Sequence, residues 1–123
     1  MVRSKKLSKY KSIKHAFFNR MEDKSIGIFR KVNNKQDSFK KKENILNNLK
    51  IIKKKIKVRS KKIYLLNQTH SNKFHFIDKY SKSIKKKING DAFITNKRNI
   101  PIAVLTADCA PVLIYDKDSK MIA

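Results

Sequence analysis

The chain has 123 residues, one cysteine and a formal net charge of +23, from 32 lysine and arginine residues against 9 aspartate and glutamate residues. This length predicts one domain that buries a core without disulfides, and a single cysteine excludes an intrachain bridge. Because the sequence shows neither a run of about 18 apolar residues nor an apolar signal segment, we expect a cytoplasmic protein without a transmembrane helix.

The positive charge permits a non-enzymatic anion or nucleic-acid binder. However, nearly all of the cations are lysines, whereas specific nucleic-acid binders favour arginine for bidentate contacts and place aromatic side chains for base stacking. The lysine runs at Lys40–Lys42, Lys53–Lys55 and Lys85–Lys87 contain no aromatic residue. We therefore predict that the lysines cover a helix face and connecting loops, with no specific nucleic-acid partner and no membrane partner.

The first third of the chain predicts a basic lead-in followed by a helix. Residues 1–12 are expected to be a loosely ordered lead-in, and HAFFN at 15–19 suits a strand. A helix is predicted to begin at Asp37, a good N-cap residue. Its buried face is predicted from the helical spacing of Ile45, Leu49, Ile52 and Ile56.

The remainder of the chain reads as short strands separated by polar turns. In 73–78, Phe74 and Phe76 alternate with His75 and Ile77. One helix with six or seven strands predicts an α/β or α+β fold, in which a mixed sheet has flanking helices and residues 13–123 form part of a single domain. The last strand begins at Met121 and is expected to leave an unpaired edge. The predicted strands are 62–67, 73–78, 91–95, 102–106, 112–116 and the one beginning at residue 121.

Two positions interrupt this apolar pattern with reactive side chains. His70 lies in a polar turn after an apolar strand, and Cys109 lies in a polar break between two apolar segments. An imidazole and a thiolate can bind one zinc ion, or they can form a nucleophile–base pair. A buried structural cysteine and a surface-turn histidine are the third interpretation. The spacing alone leaves all three open.

Four motifs resemble one bacterial family in their order and approximate spacing: HAFFNR at 15–20, NQTH at 67–70, GDAFIT at 90–95 and TADCAP at 106–111. The family is variously labelled laccase-domain or polyphenol oxidase (YfiH-like), purine nucleoside phosphorylase, and peptidoglycan editing factor. The resemblance covers residues 14–123. Two positions depart from it, because Met21-Glu22 replaces a Gly-Gly pair and Ser71 replaces a glycine after the histidine of the turn.

The resemblance implies a set of site residues. His70 and Cys109 would be two catalytic metal ligands. The chain would be the N-terminal half of a YfiH-like domain, and the third ligand, a histidine, would follow shortly after Ala123. The metal would be zinc, with copper as an alternative. Arg20 would bind an anionic group such as phosphate. Asp91 and Asp108 would bind substrate or orient ligands, unless they are strand-end carboxylates satisfied by backbone amides.

The implied activity is phosphorolysis of purine nucleosides (adenosine, inosine and methylthioadenosine) with adenosine deamination alongside. The implied partners are a nucleoside and phosphate, and the oligomeric state is left open. One alternative is a cysteine hydrolase that edits peptidoglycan precursors, with Cys109 as nucleophile and His70 as base. A blue-copper oxidase is disfavoured because no feature places Met121 as an axial ligand. For His15 and His75 a structural role is expected.

Overall fold

The structure is a computed structural model that describes residues 1–18, 35–60, 62–78, 88–106 and 108–123. These residues form two compact units, Met1–Val58 and Arg59–Ala123. The organisation of 13–123 as part of a single domain stays a prediction. In the described part of the chain, no helix has both the length and the apolarity needed to cross a bilayer.

The first unit begins with a segment that pairs with itself. A 3-10 helix spans Leu7–Lys9, and Val2 and Phe17 form an antiparallel bridge with N···O distances of 2.9 and 2.8 Å. The backbone N–H of Ser4 donates to Nε2 of His15 at 2.9 Å. The lead-in is therefore more ordered than the sequence suggested, because its backbone finds partners in the HAFFN segment. Within the described residues, that segment contributes a bridge rather than a full strand.

Helix α1 spans Lys35–Lys55, so it begins before the predicted cap. Asp37 lies in the first turn of the helix. An acidic residue is favourable both at the N-cap and in the first turn, where it faces the positive end of the helix dipole, so the sequence alone does not show which of these positions it occupies. The predicted inner face is confirmed, since Ile45, Leu49, Ile52 and Ile56 are all half-buried. Apolar periodicity did not reveal Asn48, which is buried with 3% exposure.

Helix α1 ends in a Schellman motif. The N–H of Val58 donates to the carbonyl of Lys53 at 3.2 Å, and the N–H of Lys57 donates to the carbonyl of Lys54 at 3.1 Å. Lys57 has a φ of 51°, in the left-handed region where glycine is usual. Its carbonyl accepts a hydrogen bond from Nζ of Lys14 at 2.6 Å, so a cation lies at the negative end of the helix.

Replacement of Lys57 by glycine is expected to stabilise the first unit by about 0.5–1 kcal/mol, because glycine adopts this backbone conformation without steric cost. The accepting group of the contact with Lys14 is a backbone carbonyl and is retained. Urea unfolding measures the effect. Lys50→Gly, in the exposed interior of the helix, is the matched control and should lose about 1 kcal/mol. A loss of stability in Lys57→Gly would contradict the strain at this position.

The described part of the second unit contains six short strands, each within a predicted segment. They are β1 Tyr64–Leu65, β2 Phe74–Phe76, β3 Ala92–Ile94, β4 Ile102–Ala103, β5 Tyr115–Asp116 and β6 Met121–Ile122. Strands β1 and β4 are parallel, with Tyr64 opposite Ile102, and β2 and β3 are parallel, with Phe74 opposite Ala92. Strands β5 and β6 form an antiparallel pair. Small parallel and antiparallel sheets and helix α1 are compatible with the α+β class.

A small core holds the two parallel pairs together. It contains Tyr64, Leu66, Ile77 and Phe93, and the rings of Tyr64 and Phe93 meet edge to face with centroids 6.4 Å apart. The predicted alternation of 73–78 is confirmed. Ile77 has no exposed surface, whereas Phe74 is 61% exposed. The inner side of this segment is therefore the one that carries Ile77.

The expectation of an unpaired edge at the last strand is wrong. Thr95 and Ile122 exchange two backbone hydrogen bonds of 2.9 Å, and Ala123 pairs on the other side with Ile114 at 2.9 and 3.0 Å. Alternate residues of a strand direct their N–H and C=O groups to opposite neighbours, so β6 is paired on both sides. The exposed apolar surface lies instead before β5, where Val112 is 69% exposed and Ile114 is 59% exposed.

Candidate functional site

The parallel pairing of β1 and β4 brings the two predicted ligand segments to one sheet edge. The carboxyl ends of parallel neighbours meet at the same edge, and His70 follows β1 while Cys109 follows β4. One side chain joins the segments there, because Oε1 of Gln68 accepts a hydrogen bond from the backbone N–H of Leu105 at 2.8 Å. Sequence reasoning missed Gln68, although it lies within the NQTH motif.

The side chains of His70 and Cys109 are both exposed. The interpretation of Cys109 as a buried structural cysteine is therefore wrong, since the whole stretch 108–112 is exposed, its apolar residues included. Among the described residues, no hydrogen bond engages the His70 ring or the Cys109 thiol. Both donor atoms are thus accessible to a ligand.

The turn that carries His70 wraps around one carboxylate. Oδ1 of Asp91 accepts hydrogen bonds from the backbone N–H groups of Thr69 and His70 at 3.1 and 3.0 Å. Oδ2 accepts from the backbone N–H of Ser71 at 2.7 Å and from its hydroxyl at 2.8 Å. Successive N–H groups that converge in this way form an anion-binding nest. Both oxygens of Asp91 are occupied by backbone amides, as the structural alternative for this residue predicts.

These donors stabilise the ionised form of Asp91. The pKa of its carboxyl falls from 3.8 to about 2, chiefly through the backbone N–H of Ser71, while partial desolvation acts in the opposite direction. The Ser71 hydroxyl and the N–H groups of His70 and Thr69 lower the pKa further. The carboxylate is therefore anionic at neutral pH. The role of Asp91 in binding substrate stays a prediction.

The lowered pKa predicts acid sensitivity. Because the folded pKa of about 2 lies below the ordinary value of 3.8, ionised Asp91 stabilises the fold above about pH 4, and this contribution is lost as the pH falls towards 2. The free energy of unfolding, measured in urea across this range, should fall less steeply for Asp91→Asn than for the unmodified chain. Asp116→Asn is a positive control. The Ser119 hydroxyl also lowers the pKa of Asp116, so this variant should likewise show a less steep fall in stability. Identical acid slopes for the unmodified chain and Asp91→Asn would refute the prediction.

The other predicted site residues have different surroundings. Asp108 is exposed, and none of the described residues donates a hydrogen bond to its carboxylate, so its role stays a prediction. Arg20 lies outside the described residues. Nε2 of His75 bonds the carbonyl of Asn89 at 2.8 Å, and His15 accepts from Ser4. The rings of His15 and His75 are thus held by backbone groups, in keeping with a structural role.

The donor chemistry of His70 and Cys109 suits zinc, which binds imidazole nitrogen and thiolate sulfur, and it also suits copper. In the described part of the chain, no three His, Cys, Asp or Glu side chains are grouped so that they could hold a metal ion. The described residues therefore include two suitable donors, one after β1 and one after β4, and do not complete a metal site by themselves.

Comparison with known proteins places this chain in a family. The model of a family described as "Multi-copper polyphenol oxidoreductase laccase" matches residues 14–123. A protein from Clostridium acetobutylicum named purine nucleoside phosphorylase is 46% identical over 63 residues, which are 51% of this chain and 25% of that relative. A protein of the same name from Rickettsia conorii is 36% identical over 94 residues, which are 73% of this chain and 38% of that relative.

The chain spans between a quarter and two fifths of the length of these relatives. A third relative, from Aquifex aeolicus and again named purine nucleoside phosphorylase, is 45% identical over 58 residues, which are 46% of this chain and 26% of the relative. No solved structure matches the chain significantly. Because the family model covers nearly the whole sequence, the chain belongs to the multi-copper polyphenol oxidoreductase laccase family.

Proposed function

We propose that this chain forms part of a metal-dependent purine nucleoside phosphorylase that acts on adenosine, inosine and methylthioadenosine, with adenosine deamination as a second activity. The names of its relatives support the first activity. The observation that supports the proposal is the parallel β1–β4 pair, after which the NQTH and TADCAP motifs follow, together with the hydrogen bond from the backbone N–H of Leu105, the residue before TADCAP, to Gln68 of NQTH.

In this proposal each residue has a distinct task. His70 and Cys109 hold zinc, with copper as the alternative. When bound, zinc supplies a Lewis acid that lowers the pKa of an oxygen nucleophile. Asp108, whose carboxylate is exposed, accepts hydrogen bonds from the nucleoside, and Arg20 binds phosphate. Asp91 acts through the turn around it, because its own oxygens are occupied.

Phosphate-dependent release of hypoxanthine from inosine tests the activity. The protein is produced at the full length of its reading frame, supplied with zinc, and assayed by chromatography with and without phosphate. We expect release only with phosphate, and a loss of at least about 100-fold in His70→Ala and in Cys109→Ala. His15→Gln, which keeps a hydrogen-bond acceptor in the first unit, serves as the control. Release that is independent of phosphate or of both residues would contradict the proposal.

The exposed thiol of Cys109, at the same edge as His70, also suits a cysteine hydrolase that edits peptidoglycan precursors. In this second candidate, His70 accepts the thiol proton as Cys109 attacks an acyl group. The amine leaves with that proton as the thioester forms, and water then hydrolyses the thioester to the carboxylate and the free thiol. Metal dependence separates the two functions. Hydrolysis of a precursor that persists with a zinc chelator and is lost in Cys109→Ser would favour the hydrolase, whereas hydrolysis that needs zinc, or none at all, would oppose it.

The third candidate, an anion or nucleic-acid binder, rests on the charge of +23. None of the six described strands contains a lysine; the described lysines lie in the N-terminal segment with its 3-10 helix, in helix α1 and in the connecting segments. This placement supports a solvated lysine surface. We therefore expect DNA binding to weaken to insignificance at physiological salt. Binding that survives this salt and is lost when Lys85–Lys87 are neutralised would favour the third candidate.

A further inference from the structure

We propose that Asp91 and Ser71 are positioning residues that hold His70 ready to bind the metal. We call the Asp91 carboxylate, the three N–H groups of residues 69–71 and the Ser71 hydroxyl the carboxylate clasp. The inference rests on the proposed role of His70 as a ligand and adds the groups that set its position.

The clasp stabilises an uncommon backbone conformation at His70. His70 has a φ of 55°, a region that residues with a Cβ seldom occupy. In this conformation the N–H groups of residues 69–71 point to the same side, where they meet the carboxylate of Asp91. Without a negative charge at their centre, these parallel N–H dipoles would repel one another. The Asp91 carboxylate therefore stabilises the turn conformation that sets the orientation of the His70 side chain.

Asp91 is itself fixed to the sheet. It directly precedes β3, and its backbone N–H donates to the carbonyl of Lys73 at 2.8 Å. Phe93, in that strand, is buried in the core with 4% exposure. At the other end of the turn, Gln68 bonds Leu105 in the segment that leads to Cys109. The turn thus has one anchor directly before β3 and one at Leu105, in the segment that precedes the second proposed ligand, an arrangement that orients a ligand before the metal binds.

Ser71 contributes more to the clasp than a glycine at this position would. Its hydroxyl donates to Oδ2 of Asp91 at 2.8 Å and accepts from the backbone N–H of Lys73 at 3.3 Å. The hydroxyl of Thr69 lies 3.1 Å away. A glycine would retain the backbone donor and lose these side-chain contacts. We therefore expect Ser71 to matter less than Asp91.

A double-mutant cycle separates positioning from a general effect on the fold. In the described part of the chain, the His70 ring makes no hydrogen bond, so the ring itself is not needed to hold the turn. Zinc affinity is measured on the whole chain by competition with a chromogenic chelator. We expect Asp91→Ala to weaken zinc binding about 10–100-fold and Ser71→Gly to weaken it severalfold. In the His70→Ala background, Asp91→Ala should have no further effect.

Amide hydrogen exchange gives a second readout that does not depend on zinc. The N–H groups of residues 69–71 should exchange faster in Asp91→Ala, and Asp91→Asn, which retains one acceptor oxygen, should restore part of the protection and part of the zinc affinity. Equal losses of zinc affinity with and without His70 would overturn the inference, as would an unchanged affinity in Asp91→Ala. Unchanged affinity in His70→Ala would instead contradict the proposed metal ligand itself, and the two failures are thereby distinguished.

Discussion

Zinc binding by this chain is expected to weaken about 100-fold when either His70 or Cys109 is replaced by alanine. Both side chains are exposed, and both follow strands whose carboxyl ends meet at one edge. Structural zinc sites with four ligands bind with about 10–16 kcal/mol, so the loss of one ligand costs about 3 kcal/mol, or two orders of magnitude. Competition with a chromogenic chelator measures the affinity directly.

Two further variants test whether the loss of zinc affinity is specific to the proposed ligands. Asp108→Asn changes the neighbour of Cys109 and should leave zinc affinity within about threefold, because the residue is not a proposed ligand. Cys109→Ser keeps the size of the side chain and replaces sulfur with a weaker oxygen donor, so it should resemble Cys109→Ala. If His70→Ala and Cys109→Ala bound zinc as tightly as the unmodified chain, other residues would be the ligands.

Replacement of Gly90 by alanine is expected to destabilise the second unit by about 3 kcal/mol. Gly90 has a φ of 152°, a conformation that side chains with a Cβ rarely adopt. A Cβ at this position would lie 3.0 Å from Cδ2 and Nε2 of His75 and 3.1 Å from the carbonyl oxygen of Lys73. Neither neighbour moves freely, because the His75 ring bonds Asn89 and the Lys73 carbonyl accepts from Asp91.

Urea unfolding measures the loss of stability. A second substitution separates the part caused by the contact with the His75 ring from the part caused by backbone strain. The double variant Gly90→Ala/His75→Ala removes the ring contact and leaves the backbone strain, so it should lose less stability relative to His75→Ala than Gly90→Ala loses relative to the unmodified chain. A loss below about 1 kcal/mol in Gly90→Ala would show that the turn before β3 relaxes, and the rigid placement of Asp91 would then be wrong.

The apolar pattern predicted the positions of the strands but not their lengths. Alternation in 73–78 correctly separated Phe74 from Ile77, since side chains on one strand point to opposite faces. The segment 112–116 yields only β5, Tyr115–Asp116, because the length of a ladder depends on the partner strand, β6, as well as on the apolar pattern. The pairing of β6 with Thr95 was missed because that partner is distant in the sequence.

For the candidate site, a local signal existed for some residues only. His70 and Cys109 stood out because each interrupts an apolar pattern, and their common edge follows from the parallel pairing of β1 and β4. The carboxylate clasp depends on contacts between Asp91 and a turn that lies in another part of the sequence, so the sequence left two roles open for this residue. Gln68 was missed because a glutamine in a polar turn carries no distinctive pattern.

X-ray absorption spectroscopy of the zinc-loaded chain tests the central claim, that His70 and Cys109 bind one metal ion. We expect one sulfur at about 2.3 Å and imidazole nitrogen at about 2.0–2.1 Å from zinc. The sulfur shell should vanish in Cys109→Ser, and the imidazole signal should weaken in His70→Ala. A zinc ion surrounded only by oxygen and nitrogen in the unmodified chain, or an imidazole signal unchanged in His70→Ala, would contradict the claim.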